Sequence, residues 1–229
     1  MDLPVWQALR TELHPRGLEI VTVALDAKGP AAARPWIEKA QPEHPSLIDA
    51  THQLDRLGVV NVPSGIWIDE RGIVVRPPEP AHPRRPEYKD RVVPEHATPL
   101  ERERFEVVKA LRVESDRYIV ALRDWVAQGA TSRYALPPDE VSSRSRPLPI
   151  EEATAAAHFA IGQRLHTAGE REAAVEHFRA AHRLHPTNWT YRRDAWSIAG
   201  PDHQAVYGTT WLDEVKREGV DRYYPPLEM

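Results

Sequence analysis

Histidines crowd one stretch of this chain: His177, His182 and His185 lie close together, with His158 and His166 shortly before them. Imidazole is a common zinc ligand, and His182 and His185, three residues apart, would put two donors on one helix face. No third histidine and no paired carboxylate joins them there. The spacing therefore points to solvent-exposed residues of a helical segment, with no metal and no cofactor. Asp69-Glu70 and Glu151-Glu152 have the residue types for acid–base work. The first pair falls in a hairpin turn and the second at a helix start, where acidic side chains complement the dipole. Ser142, Ser143 and Ser145 lack the Gly-x-Ser-x-Gly setting of a nucleophilic serine, and no glycine-rich phosphate loop occurs. The chain has no cysteine, which excludes disulfides, thiolate nucleophiles and Cys-ligated metal. No catalytic residue is expected.

The elements that carry these residues begin with an α/β pattern. Val5, Trp6, Leu9 and Leu13 fall at helical spacing, and His14-Pro15-Arg16-Gly17 breaks that helix. Leu18 to Leu25 is rich in β-branched residues and apolar on both faces, as in a strand covered on two sides. Ala31 to Ala40 reads as a helix anchored by Trp36 and Ile37. Ser46-Leu47-Ile48-Asp49 is a short extended piece, and Thr51 to Leu57 a short helix capped by Thr51 and stopped by Gly58. Then come Val59 to Ser64, a strand over Gly65–Asp69, a tight turn ending at Gly72, and a second strand over Ile73–Arg76: a β-hairpin.

Gly58-Val59 through Val62-Pro63, followed by strand, turn and strand, resembles the cis-proline signature of the thioredoxin superfamily. With the Leu18–Asp26 strand and the Leu3-Pro4-Val5-Trp6 helix opening, residues 2 to 77 are similar to the ResA/TlpA-like thiol–disulfide oxidoreductases. The resemblance implies that Pro63 is the cis-proline. In that family a Cys-x-x-Cys motif opens the helix upstream of such a step, and this chain does not contain it. It also implies a missing strand between Ile20–Leu25 and Ile66–Ile68. Buried backbone groups left without partners there would cost about 1–3 kcal/mol each, against a domain stability of about 5–15 kcal/mol. The flanking strands must pair directly, another segment must fill the gap, or the reading frame begins upstream of Met1. The last is expected.

Thr98-Pro99-Leu100-Glu101 is a strong helix start. Val108, Leu111, Tyr118, Ile119, Leu122, Trp125 and Val126 continue it as one amphipathic helix to Gly129, either the last helix of the thioredoxin-like fold or the first of the helical region. In residues 151–188, Gly162, Leu165, Ala174, Phe178, Ala181 and Pro186 are spaced so that two antiparallel helices, 151–167 and 170–184, approach closely about Gly169. That pattern is similar to a tetratricopeptide repeat. Asn188 caps a third helix, Trp189–Ile198, expected as a solvating cap. About three repeats are needed to bury a continuous core, so the 100–126 helix and the tail, with Trp211, Leu212, Val215, Tyr223 and Tyr224, are expected to pack against the single copy. Trp189, Tyr191, Trp196 and Trp211 could form a binding surface, but core roles are expected.

Hydrophobic content of 41% and charged content of 28% suit a globular protein. The net charge of −4 leaves no basic excess for nucleic acid. No apolar run reaches the roughly 18–20 residues of a membrane span, and the first residues carry no signal-peptide features; a cytoplasmic location is expected. The 22 prolines are about twice the usual share and cluster between Pro77 and Pro99. The expected organisation is a partial thioredoxin-like domain over 1–77, a Pro-rich surface linker over 78–98, and an all-α region over 99–229. The expected function is that of a relative of the thiol–disulfide oxidoreductases, redox-inactive in this chain. The alternative is a non-catalytic module that docks a protein partner through its tetratricopeptide-like helices.

Overall fold

Leu3-Pro4 opens the first helix because proline at the first helical positions gives up only an amide that has no helical partner. The computed structural model describes residues 2–145 and 147–229. Helix α1 (Leu3–Leu13) ends in a short 3-10 turn and Gly17, whose φ of 98° reverses the chain. Strand β1 (Thr22–Leu25), helix α2 (Pro30–Ala40) and strand β2 (Ser46–Asp49) follow, with β1 and β2 parallel from Thr22↔Ser46 to Leu25↔Asp49. The segment expected as a Thr51-capped helix is a 3-10 turn, Gln53–Leu57. The Asp49 carboxylate accepts the amides of Thr51 and Leu54, which tightens the backbone into a turn.

Strands β3 (Ser64–Ile68) and β4 (Val74–Pro80) form an antiparallel hairpin. Its turn is held by Asp69, whose Oδ1 accepts the amides of Arg71 at 3.0 Å and Ile73 at 2.9 Å. The proline-rich segment does not begin as a surface connection. Pro77, Pro78 and Pro80 lie in β4, and Ala81, His82 and Pro83 are buried. The strand tolerates them because it is an edge strand, where missing amide donors leave no ladder position unfilled.

The two sheets share no ladder: β1 pairs only with β2, and β3 only with β4. Neither direct pairing of the flanking strands nor a strand between them occurs among the described residues. The expected cover on both faces of β1 is also absent. All four of its residues are only half-buried, and Val21 and Leu47 are 51% and 55% exposed. A groove of about 240 Å³ runs along β1, walled by Leu3, Val23, Ala33, Trp36, Ile37 and Leu47.

The helix expected from Leu100 to Val126 is two, α3 (Pro99–Ala110) and α4 (Ser115–Gln128). Thr98 and Glu101 close a capping box at the start of α3. Leu111 turns extended, and the Lys89 ammonium takes up the carbonyls of Lys109, at 2.6 Å, and Leu111. Capping of those carbonyls offsets the interrupted helical ladder and frees Leu111 to pack beside Trp189 and Trp196. Further on lie α5 (Pro138–Arg144), α6 (Ile150–Thr167), α7 (Arg171–Leu184), α8 (Trp189–Ala199), α9 (His203–Tyr207), α10 (Trp211–Glu218) and α11 (Val220–Tyr223).

Burial is concentrated in three clusters. Trp67 of the hairpin, Leu13 of α1, Tyr118 and Leu122 of α4, Tyr134 and Leu227 form the first. The second is the seam of α6 and α7 with Tyr191 and Ala195 of α8. The third joins Leu111, Trp189, Trp196, Val215, Tyr223 and Tyr224. Thus α4 shares the hairpin's core, whereas the end of α3 packs with the C-terminal helices.

Candidate functional site at the cis-proline loop

The Val62–Pro63 peptide bond is cis, at the position where the family resemblance places its cis-proline. Gly58, at φ 91°, turns the chain into this loop. Its backbone carbonyls face the C-terminal region. Val60 O accepts the amides of Trp189 at 2.7 Å and Thr190 at 3.3 Å. Val62 O accepts the Tyr224 hydroxyl at 2.9 Å and the Arg193 guanidinium at 3.3 Å. Asn61, between them and buried, donates to the Tyr223 carbonyl at 2.6 Å. Pro63 O takes the Ala81 amide at 3.2 Å.

The same α8 helix spans the carboxyl ends of β1 and β2, the edge at which open α/β sheets commonly bind ligands. Asp194 accepts the Ala27 amide at 2.8 Å and pairs with His52. The Tyr191 hydroxyl donates to Asp55, and Gln163 of α6 donates to the Ala50 carbonyl at 2.9 Å. Burial, and then the Asp55 carboxylate, drive the Tyr191 phenol far above its ordinary range. Its ring stacks on Phe159 with centroids 4.2 Å apart. Seven residues of α8 are buried, among them Arg192 and Asp194. The helix expected as a solvating cap is the bridge between the two halves of the molecule.

Asp194, His52 and Thr190 line up as carboxylate, imidazole and hydroxyl, the residue types of a hydrolytic triad. The line is sealed: His52 is 2% and Thr190 3% exposed. The Thr190 hydroxyl lies 2.6 Å from Asn188 Oδ1, to which it donates. No substrate atom can reach it, so the arrangement joins elements and performs no attack.

The repeat positions fall on one seam. Ala174, Phe178 and Ala181 are buried between α6 and α7, with Leu165 packed against them. Gly162 is required there, since a Cβ at that position would sit 2.8 Å from the Phe178 ring. Pro186 lies in the turn before α8, and its carbonyl accepts the Arg192 guanidinium at 2.9 Å. Arg192 also meets Glu214 in a fully buried pair. Burial, followed by Arg217, lowers the Arg192 guanidinium to about 10.

The histidines are not the exposed set expected of them. His158 and His177 hydrogen-bond to each other through Nδ1 at 3.0 Å. His182 is pushed down to about 3, chiefly by burial, and its Nε2 meets no hydrogen-bond partner among the described residues. His185 is buried 3.7 Å from Glu152. Among the described residues no group of three or more metal-binding side chains converges. His82, buried edge-on against Tyr224, is lowered to about 4 by burial.

Comparisons with protein families, curated proteins and solved structures find no match. Among the described residues no helix is long and apolar enough to cross a membrane. The residues missed from sequence are His52, Asp55 and Asp194, which meet only through contacts between distant segments. The single signal pointing to them is the pair Thr190 and Asp194, four residues apart and so on one face of their helix.

Proposed function

We propose that this chain is a redox-inactive relative of the thioredoxin-like thiol–disulfide oxidoreductases, with its helical region folded back over the face on which such a scaffold would act. The observation that carries the reading is the order and pairing of elements. A parallel pair, β1 and β2, is followed by a cis-proline loop and an antiparallel hairpin, and among the described residues the two sheets share no ladder. The packing of α1 and α4 together on Trp67 of the hairpin adds support, since it makes α4 a closing helix of the sheet layer. With no cysteine the chain has no thiolate with which to attack a disulfide.

The test has two arms. Insulin reduction by the chain, with dithiothreitol as electron source, is expected to stay at the buffer rate, and turnover would end the claim of inactivity. A chain preceded by an extended apolar strand closing on Trp-Cys-x-x-Cys is expected to gain turnover. A folded fusion that stays inert would remove the kinship. A docking role for the helices is the competing reading. Ile150 and Ile161, 74% and 45% exposed on one stripe of α6, favour it. Substitution of both by Lys, without effect on recovery of any bound protein, would count against it.

A further inference from the structure

We infer that His52 is a proton-operated latch: in the docked chain its ring holds both N–H protons, and loss of one at alkaline pH loosens α8 from the loops after β1 and β2. The hydrogens available around the ring require it. The Thr190 hydroxyl has one to give. Asn188 Oδ1, which can only accept, lies 2.6 Å from it and also takes the amides of Thr190 and Tyr191. The hydroxyl proton is therefore committed to Asn188. What Thr190 Oγ1 presents to His52 Nδ1, 3.3 Å away, is a lone pair, so Nδ1 is the donor. On the other side of the ring, Nε2 meets Asp194 Oδ2, a carboxylate oxygen already accepting the Ala27 amide. Two donors on one imidazole make an imidazolium.

The surroundings suit a cation. Asp194 comes from α8, Asp49 from the end of β2 and Asp55 from the 3-10 turn that follows His52. From α6 come the Phe159 ring at 4.9 Å and, beyond it, Glu152 beside His185. Tyr191 is engaged with Asp55, and the cationic Arg193 is turned away to Val62 O. The Asp49 carboxyl sits below its usual range. Burial opposes this but is outweighed by the amides of Gln53, Leu54 and Thr51 and by the His52 ring.

Deprotonation has no good arrangement. A neutral ring protonated at Nδ1 sets the Nε2 lone pair against the Asp194 carboxylate; one protonated at Nε2 sets the Nδ1 lone pair against those of Thr190 or draws the hydroxyl proton from Asn188, weakening the cap of α8. A free imidazole loses its proton near about pH 6.5. A proton held by the docked state therefore favours docking at lower pH and is given up as pH rises. The inference is independent of any redox kinship.

In the intact, 15N-histidine-labelled chain, NMR at pH 6 is expected to show both ring nitrogens of His52 protonated. Exchange protection of the Ala27 amide, corrected for intrinsic rate, is expected to fall about tenfold or more between pH 6 and 9, and to stay flat in His52→Gln. A neutral His52 ring at pH 6, or the same pH dependence in the variant, overturns the latch. Should His52→Gln not fold, the ring assignment in the unaltered chain decides alone.

Discussion

Strands β1 and β2 meet helix α8 through the contacts of Ala27 and His52 with Asp194, yet strands and helix are buried to opposite degrees. Not one residue of β1 or β2 belongs to any of the three core clusters, and Leu47 in β2 is more than half exposed. Helix α8 buries seven of its eleven residues and pairs its charged groups. The β-rich composition of β1 is thus satisfied only along one edge, whereas α8 is enclosed by α6, α7, the tail and the cis-proline loop. A β-branched run provides the capacity to be a core strand; neighbours on both sides make it one. The contrast teaches that the cohesion of the N-terminal half comes largely from what packs onto it: α4 on the hairpin, and α8 on the loops.

The strongest challenge to this contrast is Arg192→Ala. It leaves the buried Glu214 with only the exposed Arg217 as its ion-pair partner and strips the Pro186 carbonyl of its donor, and a loss toward the lower end of about 3–5 kcal/mol is expected in urea unfolding. A loss below about 1 kcal/mol would mean that α8 is not the keystone described. Next comes acid. The unfolded chain protonates His82 near its ordinary value, whereas the folded chain resists until about 4 because the ring is buried. Stability is therefore lost as pH falls through that interval, by up to about 3 kcal/mol. His82→Leu is expected to flatten that limb between pH 6.5 and 4; an unchanged acid profile would show that the ring is wet. The smallest effect is expected at Leu47→Thr, within about 0.5 kcal/mol, because an exposed strand position loses little contact. A cost above about 2 kcal/mol would place β2 in a core after all.

Much of the local structure was legible beforehand. The Thr98–Glu101 box, the Asn188 cap and the Gly162–Phe178 seam are short-range devices whose geometry follows from residue type and spacing. The division of the 100–126 segment was not, because it depends on Lys89, distant in sequence, reaching the carbonyls of Lys109 and Leu111. The continued apolar periodicity from Val108 to Val126 conceals the break, since each half serves a different core. His52 and Asp194 stand 142 positions apart. Nothing in either neighbourhood announces the other, and only the docking of α8 joins them. The buried histidines went unseen for a related reason: helical spacing gives a face, but what covers that face is settled elsewhere.

At the cis-proline loop, the hydrogen bonds that Val60 and Val62 contribute to docking come from their main-chain carbonyls. Any residue at either position offers the same two oxygens, so those bonds place no demand on the side chain. The vulnerability is one-sided: at Val62, recognition rests on the reach of Arg193 and the Tyr224 hydroxyl, and inherited changes that uncouple the halves should accumulate there.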